Sequence, residues 1–301
     1  FLAGGDLTLG ALTAGGAVVL TAADDLIDDG NLLTRLVGGG ITLYADRIGL
    51  SAASAVQIDA VALSAVATNG SLFISELNDL LVLGAQASSA SGEVDIASGG
   101  NLTIQSAIAN TQVTLSTTGN IFDDAVVNAG INAPEVSLSA GVDVGGPGTP
   151  LDVTTGVLGA SSAVSGIDLR VHGDAILENV VSAGVGAGVN ITTLADGPEL
   201  GTLFVQRVSA LNQVTLDAAG DIVDNHIVTA AVDAPNVFLL GRNIGLATAL
   251  EVNATTLLDA RPDLSANIND VDGISSVLLI QAITAAGAPI RLSSTGGSLG
   301  L

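Results

Sequence analysis

The chain has 301 residues, with 30 Asp and Glu against seven Arg, no Lys, no Cys and a formal net charge of −23. Neutralising a phosphate backbone takes clustered Lys or Arg, so this balance argues against a nucleic-acid partner, and the lack of Cys excludes disulfides and thiolate metal sites. Only 2% of the residues are aromatic against 48% hydrophobic, so Leu, Val, Ile and Ala must fill any core. No run approaches the ~18 apolar residues of a membrane-spanning helix, and the few aromatic residues cannot build the girdles of a membrane barrel.

Along the chain, apolar residues alternate over very short runs: Leu7 and Leu9, Val18 and Leu20, Ile41 and Leu43, Val56 and Ile58, Leu72 and Ile74, Val94 and Ile96. Period two over three to five residues predicts short strands with one buried face, with Thr, Ser, Asp and Gln on the other. Turn sequences separate them: GGN at 99–101, TTGN at 117–120, GGPGTP at 145–150 and AAGD at 218–221. All seven prolines, 134, 147, 150, 198, 235, 262 and 289, are expected in such turns. No window carries a helical stripe, so helix should be nearly absent.

The chain also repeats itself. Residues 113–138, VTLSTTGNIFDDAVVNAGINAPEVSL, recur at 214–239 as VTLDAAGDIVDNHIVTAAVDAPNVFL, and 18–29 match the start of the same block. Leu7 likewise pairs with Leu102, Leu72 with Ile167 and Val94 with Val189. Copies of about 100 residues cover 5–99, 100–200 and 201–276, and a fourth opens at 277–301. Each holds roughly nine or ten short strands. With two or three strands to a coil, a copy makes four or five coils of about 19 to 24 residues. The prediction is an all-β chain, a parallel β-helix running as one continuous solenoid from 1 to 301. Equivalent residues of successive copies should point the same way. Val113, Leu115, Val136 and Leu138, with Val214, Leu216, Val237 and Leu239, are expected to be buried, and Thr114 and Thr215 exposed.

The runs GNLTI at 100–104, VTLSTTGNI at 113–121, INAPEVSLSAGVDVG at 131–145 and LDVTTGVLGA at 151–160 resemble the repeats of filamentous-haemagglutinin-like bacterial exoproteins. The resemblance covers essentially the whole chain. It implies a right-handed parallel β-helix, secreted to the cell surface, that serves as an adhesin stalk or fibre.

Several residues could carry chemistry. Acids pair at Asp28 and Asp29, Asp123 and Asp124, and again as Asp224 beside Asn225. Clustered carboxylates serve glycan cleavage as acid and base, and could bridge rungs through calcium, but accepting backbone amides in turns is the reading adopted. GGPGTPLDV at 145–153 approaches a calcium-binding nonapeptide, yet Pro150 stands where the ligating Asp would be, so it reads as a loop. His172 and His226 lack companions and are expected in surface turns. Asn69, Asn101, Asn190 and Asn253 begin glycosylation sequons. Arg35, Arg47, Arg170, Arg207, Arg242, Arg261 and Arg291 form no patch by spacing and are expected as isolated counter-charges. No catalytic, cofactor or metal residue is assigned.

The expectation is therefore a non-catalytic structural segment of an extracellular β-helical fibre or adhesin stalk. The alternatives are a β-helical glycan lyase or hydrolase and a calcium-stabilised glycan-binding module. The partners expected are a glycan or protein ligand on a host or cell surface. Both ends read as ordinary repeat sequence without a polar cap, so each is expected to be continued, by more chain or by end-to-end self-association into a filament.

Overall fold

The computed structural model describes residues 1–124, 130–146, 148–225, 230–271 and 289–294, with the backbone alone for 277–280. Of the expected fourth copy, only those last short stretches are described. Among the described residues the one helix is a 3-10 turn, Ala52–Ser54. The strands pair in parallel with strands about one coil away in sequence, which makes the fold a β-solenoid. By its internal contacts the chain divides into two units, 1–141 and 142–301.

In the first unit, one ladder runs Leu7–Leu26–Ile48–Leu72–Val94–Val113–Val136. Its steps are 19 to 24 residues. A second runs Val18–Ile41–Leu63–Val82–Ile104. Each coil contributes to both and to a third, Leu20–Leu43–Ala65–Ala85–Ala107–Ile131, so the core is the space these stacked apolar side chains enclose. Alternation sends every second residue inward, and the inward members from Leu26 to Val136 and from Val18 to Ile104 are all buried. Ala45, Ala67, Ala87 and Ala109 form a further buried ladder, each at the end of its strand. A side chain this short leaves room for the backbone to turn back at the corner. In the second unit, Val144–Ile167–Val189–Val214–Val237–Leu258 is the corresponding inward ladder.

The eight residues expected to be buried, Val113 to Leu138 and Val214 to Leu239, are 0–2% exposed. Thr114 and Thr215 face outward but are only half-exposed. Parallel stacking places an outward neighbour directly above and below each: Asp95 and Ser137 around Thr114, Asn190 and Phe238 around Thr215.

Equivalent residues of the first two copies point inward, as expected, but in different ladders. Four ladder steps carry Leu7 to Val94 and a fifth to Val113, whereas Leu102, the copy of Leu7, pairs with Leu80 and Ile121 in another ladder. Val18 and its copy Val113 are exchanged in the same way. From Leu7 to Leu102 the chain thus makes four coils and about half of a fifth, so the second copy starts about half a coil out of phase with the first.

The prolines are also not confined to turns. Pro235 lies within the strand Val232–Ile244 and Pro262 within Leu250–Asp270. Ladder pairing in that region shifts register between Ala234 and Asn236 and between Gly241 and Asn243, the latter shift next to the Gly241–Pro262 pair. These strands run through corners where the regular ladder is broken, so a missing N–H is tolerated.

Candidate functional site

Polar side chains concentrate at the corners, where backbone groups leave the ladder and need other partners. The Asp25 N–H donates to Asp6 Oδ1 (3.1 Å), the Asn120 N–H to Asn101 Oδ1 (2.9 Å) and the Asp221 N–H to Thr202 Oγ1 (3.5 Å). These pairs are equivalent in the three copies, so the sequence repeat preserves a latch between consecutive coils. The Asn101 N–H makes the same bond to Asp79 Oδ1 (2.6 Å), and the Asn243 N–H to Asp221 Oδ1 (3.1 Å).

A second pattern joins side chains. Six Asn amides each donate to an Asp 19 to 23 residues earlier: Asn69 to Asp46, Asn78 to Asp59, Asn101 to Asp79, Asn190 to Asp168, Asn243 to Asp221 and Asn253 to Asp233. All four sequon asparagines are among them. Each of these amides gives an aspartate a neutral donor on the next coil in place of a second acid, which matters in a chain of charge −23. Asn101→Asp is expected to cost about 1 kcal/mol of stability, less in 1 M salt. Urea unfolding at two salt concentrations measures it.

Four of the seven arginines act as counter-charges to individual aspartates: Arg47 to Asp25 (2.5 Å), Arg170 to Asp152 (3.3 Å), Arg242 to Asp221 (3.4 Å) and Arg261 to Asp259 (2.6 Å). The aspartates beside Arg47 and Arg261 raise the pKa of both guanidinium groups. His172 is not in a turn. It ends the strand Ile167–His172 and faces outward, with Nε2 3.2 Å from Asp152 Oδ1. His226 lies outside the described residues.

The paired acids serve turns in the first copy. Asp28 Oδ1 accepts the Gly30 N–H (2.8 Å), and Asp29 Oδ1 accepts the Asn31 N–H (2.9 Å) and the Thr34 hydroxyl (2.6 Å). The hydroxyl and amide hold the Asp29 pKa below the usual carboxylate value. Asp28 and Asp123 end strands in different ladder sets, paired to Leu9 and Ile104 respectively, so the pairs do not converge. Asp224 likewise ends a short strand. Among the described residues no three His, Asp or Glu side chains come together as a cation would require. In 145–153, Gly146 and Thr149 exchange backbone bonds in a tight turn (3.1 and 2.8 Å) before the strand Leu151–Thr154.

Glu76 was not singled out by sequence, although an acid at an inward position of Leu72-x-Ile74-x-Glu76 breaks the alternation. It is buried in the column Ile58–Glu76–Ser98–Thr117. Its carboxylate accepts the N–H groups of Ala60 (3.0 Å), Leu77 (2.8 Å) and Asn78 (3.0 Å). Ser98 and Thr117 accept the N–H two residues on, from Gly100 and Gly119, each at 3.1 Å. The column closes one corner on each successive coil.

Burial raises the pKa of Glu76, Asp95, Asp143 and Asp217. The folded chain therefore holds more protons than the unfolded one between the ordinary carboxylate pKa and the raised values, and stability rises as pH falls through that window. Asp29 has the opposite sign, and its contribution is lost only as pH falls through its lowered pKa. Melting by calorimetry is expected at a higher temperature at pH 5 than at pH 7.5, with a smaller difference in Glu76→Gln.

The first unit carries a groove of about 1020 Å³ whose wall includes the Asp79–Asn101 latch. It touches six successive coils, from Ala14 through Val37, Asp59, Asp79 and Asn101 to Phe122. A smaller pit in the second unit, about 350 Å³, is lined by Asp143, Asp168 and Asn190. No helix among the described residues is long and apolar enough to cross a membrane. Comparison with protein-family models, curated proteins and solved structures finds no match for this chain.

Proposed function

We propose that this chain is a non-catalytic structural segment of an extracellular fibre or adhesin stalk, a right-handed β-helix of the filamentous-haemagglutinin-like kind. The observation that carries the reading is how the polar side chains are used. Asp, Asn and Arg, the residues that would otherwise supply chemistry, bond across consecutive coils at 19 to 23 residue spacing. Such bonds resist sliding and peeling of one coil from the next, which is what a stalk requires. The alternation of buried Val, Leu and Ile supplies the rest of its cohesion.

Immunogold labelling of intact source cells with antibody to this chain tests the placement. Label on surface filaments is expected, and label confined to the cell interior would overturn it. Incubation with neutral and acidic polysaccharides tests the absence of catalysis: new reducing ends or unsaturated products would establish a glycan-cleaving enzyme instead. Melting with and without a calcium chelator separates the calcium-stabilised alternative, which requires a shift.

A further inference from the structure

The corner groove of the first unit has the chemistry of a binding site as well as of a seam. We infer that it holds a neutral glycan chain, through hydroxyl hydrogen bonds to Asp59 and Asp79 and apolar contact with Val61, Leu81 and Phe122. This goes beyond the stalk reading and does not depend on it.

The shape comes first. The groove follows the stacking direction over six coils, about 4.8 Å apart. Its volume of about 1020 Å³ is at the upper end for ligand clefts, and an elongated cleft of that size suits a polymer of several rings better than a compact metabolite.

The polar groups are set in advance. Asn78 Nδ2 donates to Asp59 Oδ1 (3.2 Å), and Asn101 donates to Asp79 Oδ1 from its backbone N–H (2.6 Å) and Nδ2 (3.2 Å). Each carboxylate is thus fixed by one oxygen, while Oδ2 of each has no hydrogen-bond partner among the described residues. A fixed carboxylate with a free oxygen accepts a ligand hydroxyl with little further loss of side-chain freedom.

Apart from Thr103, the side chains on the rest of the wall are apolar. Val61 is 71% exposed, and Leu81 and Phe122 are half-exposed. Aliphatic and aromatic surface of this kind covers the C–H face of a sugar ring. No Arg or His lines the groove, so an anionic polymer meets two carboxylates and no counter-charge. A cationic polymer would leave the apolar wall unused.

Isothermal titration of the 301-residue chain tests this, with cellohexaose, laminarihexaose and maltohexaose as probes and oligogalacturonate and a hexa-arginine peptide as charged comparisons. Saturable binding of at least one neutral hexasaccharide is expected. It should weaken about tenfold or more in Asp59→Ala/Asp79→Ala, and also in Val61→Arg, whose exposed position leaves folding intact as judged by circular dichroism. The inference is overturned if no neutral hexasaccharide binds, if binding survives both variants, or if either charged probe binds more tightly. Any of these leaves the surface-labelling test of the stalk reading untouched.

Discussion

Leu115→Asp is expected to lower the unfolding free energy by about 4 kcal/mol or more. Leu115 is 0% exposed and is stacked between Ile96 and Leu138 on adjoining coils. The ladder already uses the backbone N–H groups around it, so a carboxylate there finds no donor. Glu76 shows the condition under which an inward acid is accepted: at a corner, with three N–H groups turned onto it. Leu115→Ala, which leaves a cavity without a charge, is expected to cost about 2–5 kcal/mol. Leu216, buried between Ile191 and Leu239, should behave alike. Urea unfolding measures both, and an unchanged midpoint for the Asp variant would refute the inward assignment.

The second large effect is expected at Gly245. Gly49, Gly145 and Gly245 each follow an inward ladder residue, Ile48, Val144 or Ile244, and each has a positive φ (70°, 71° and 63°). A Cβ on Gly245 would stand 2.1 Å from the carbonyl oxygen of Asn267 and 2.8 Å from the Leu250 nitrogen. Both atoms are backbone, and Asn267 lies in the neighbouring strand, so neither yields as a side chain would. The left-handed conformation alone costs an alanine about 1–2 kcal/mol, and the overlap should bring Gly245→Ala to about 3 kcal/mol or more. Gly30→Ala separates the two contributions. Gly30 has φ 78° with nothing within 4 Å of the added Cβ, so only the conformational part should appear. Equal losses in the two variants would show that close approach at Gly245 contributes nothing.

These glycines show what was legible and what was not. The triplet Ile48-Gly49-Leu50 recurs as Ile244-Gly245-Leu246, a signal in the repeat that the sequence reading passed over. Its third counterpart, Val144-Gly145-Gly146, is recognisable only from backbone geometry. The inward positions of Val113 to Leu138 were readable because alternation is a property of residues two apart. The partner of Asp79 was not, since nothing in the sequence around it names Asn101 among the nearby amides. Those two meet because the coil between them closes after 22 residues. Glu76 was visible as a break in alternation, but its three N–H donors come from a corner whose path no local pattern specifies.

The sequence by itself determined the class of fold. Short alternating runs, turn residues and a repeat of about 100 residues require strands that bury one face against stacked neighbours, and each of these signals acts over a few residues or by simple copying. Only the tertiary structure decided the phase of the copies. Coil lengths of 19 to 24 residues in the ladder from Leu7 to Val136, with excursions such as 29–35 and 49–55 within them, add up to half a coil beyond a whole number. Leu102 therefore faces inward in a different ladder from Leu7. That sum also decides which aspartate meets which asparagine, and which corners align to form the groove between Ala14 and Phe122.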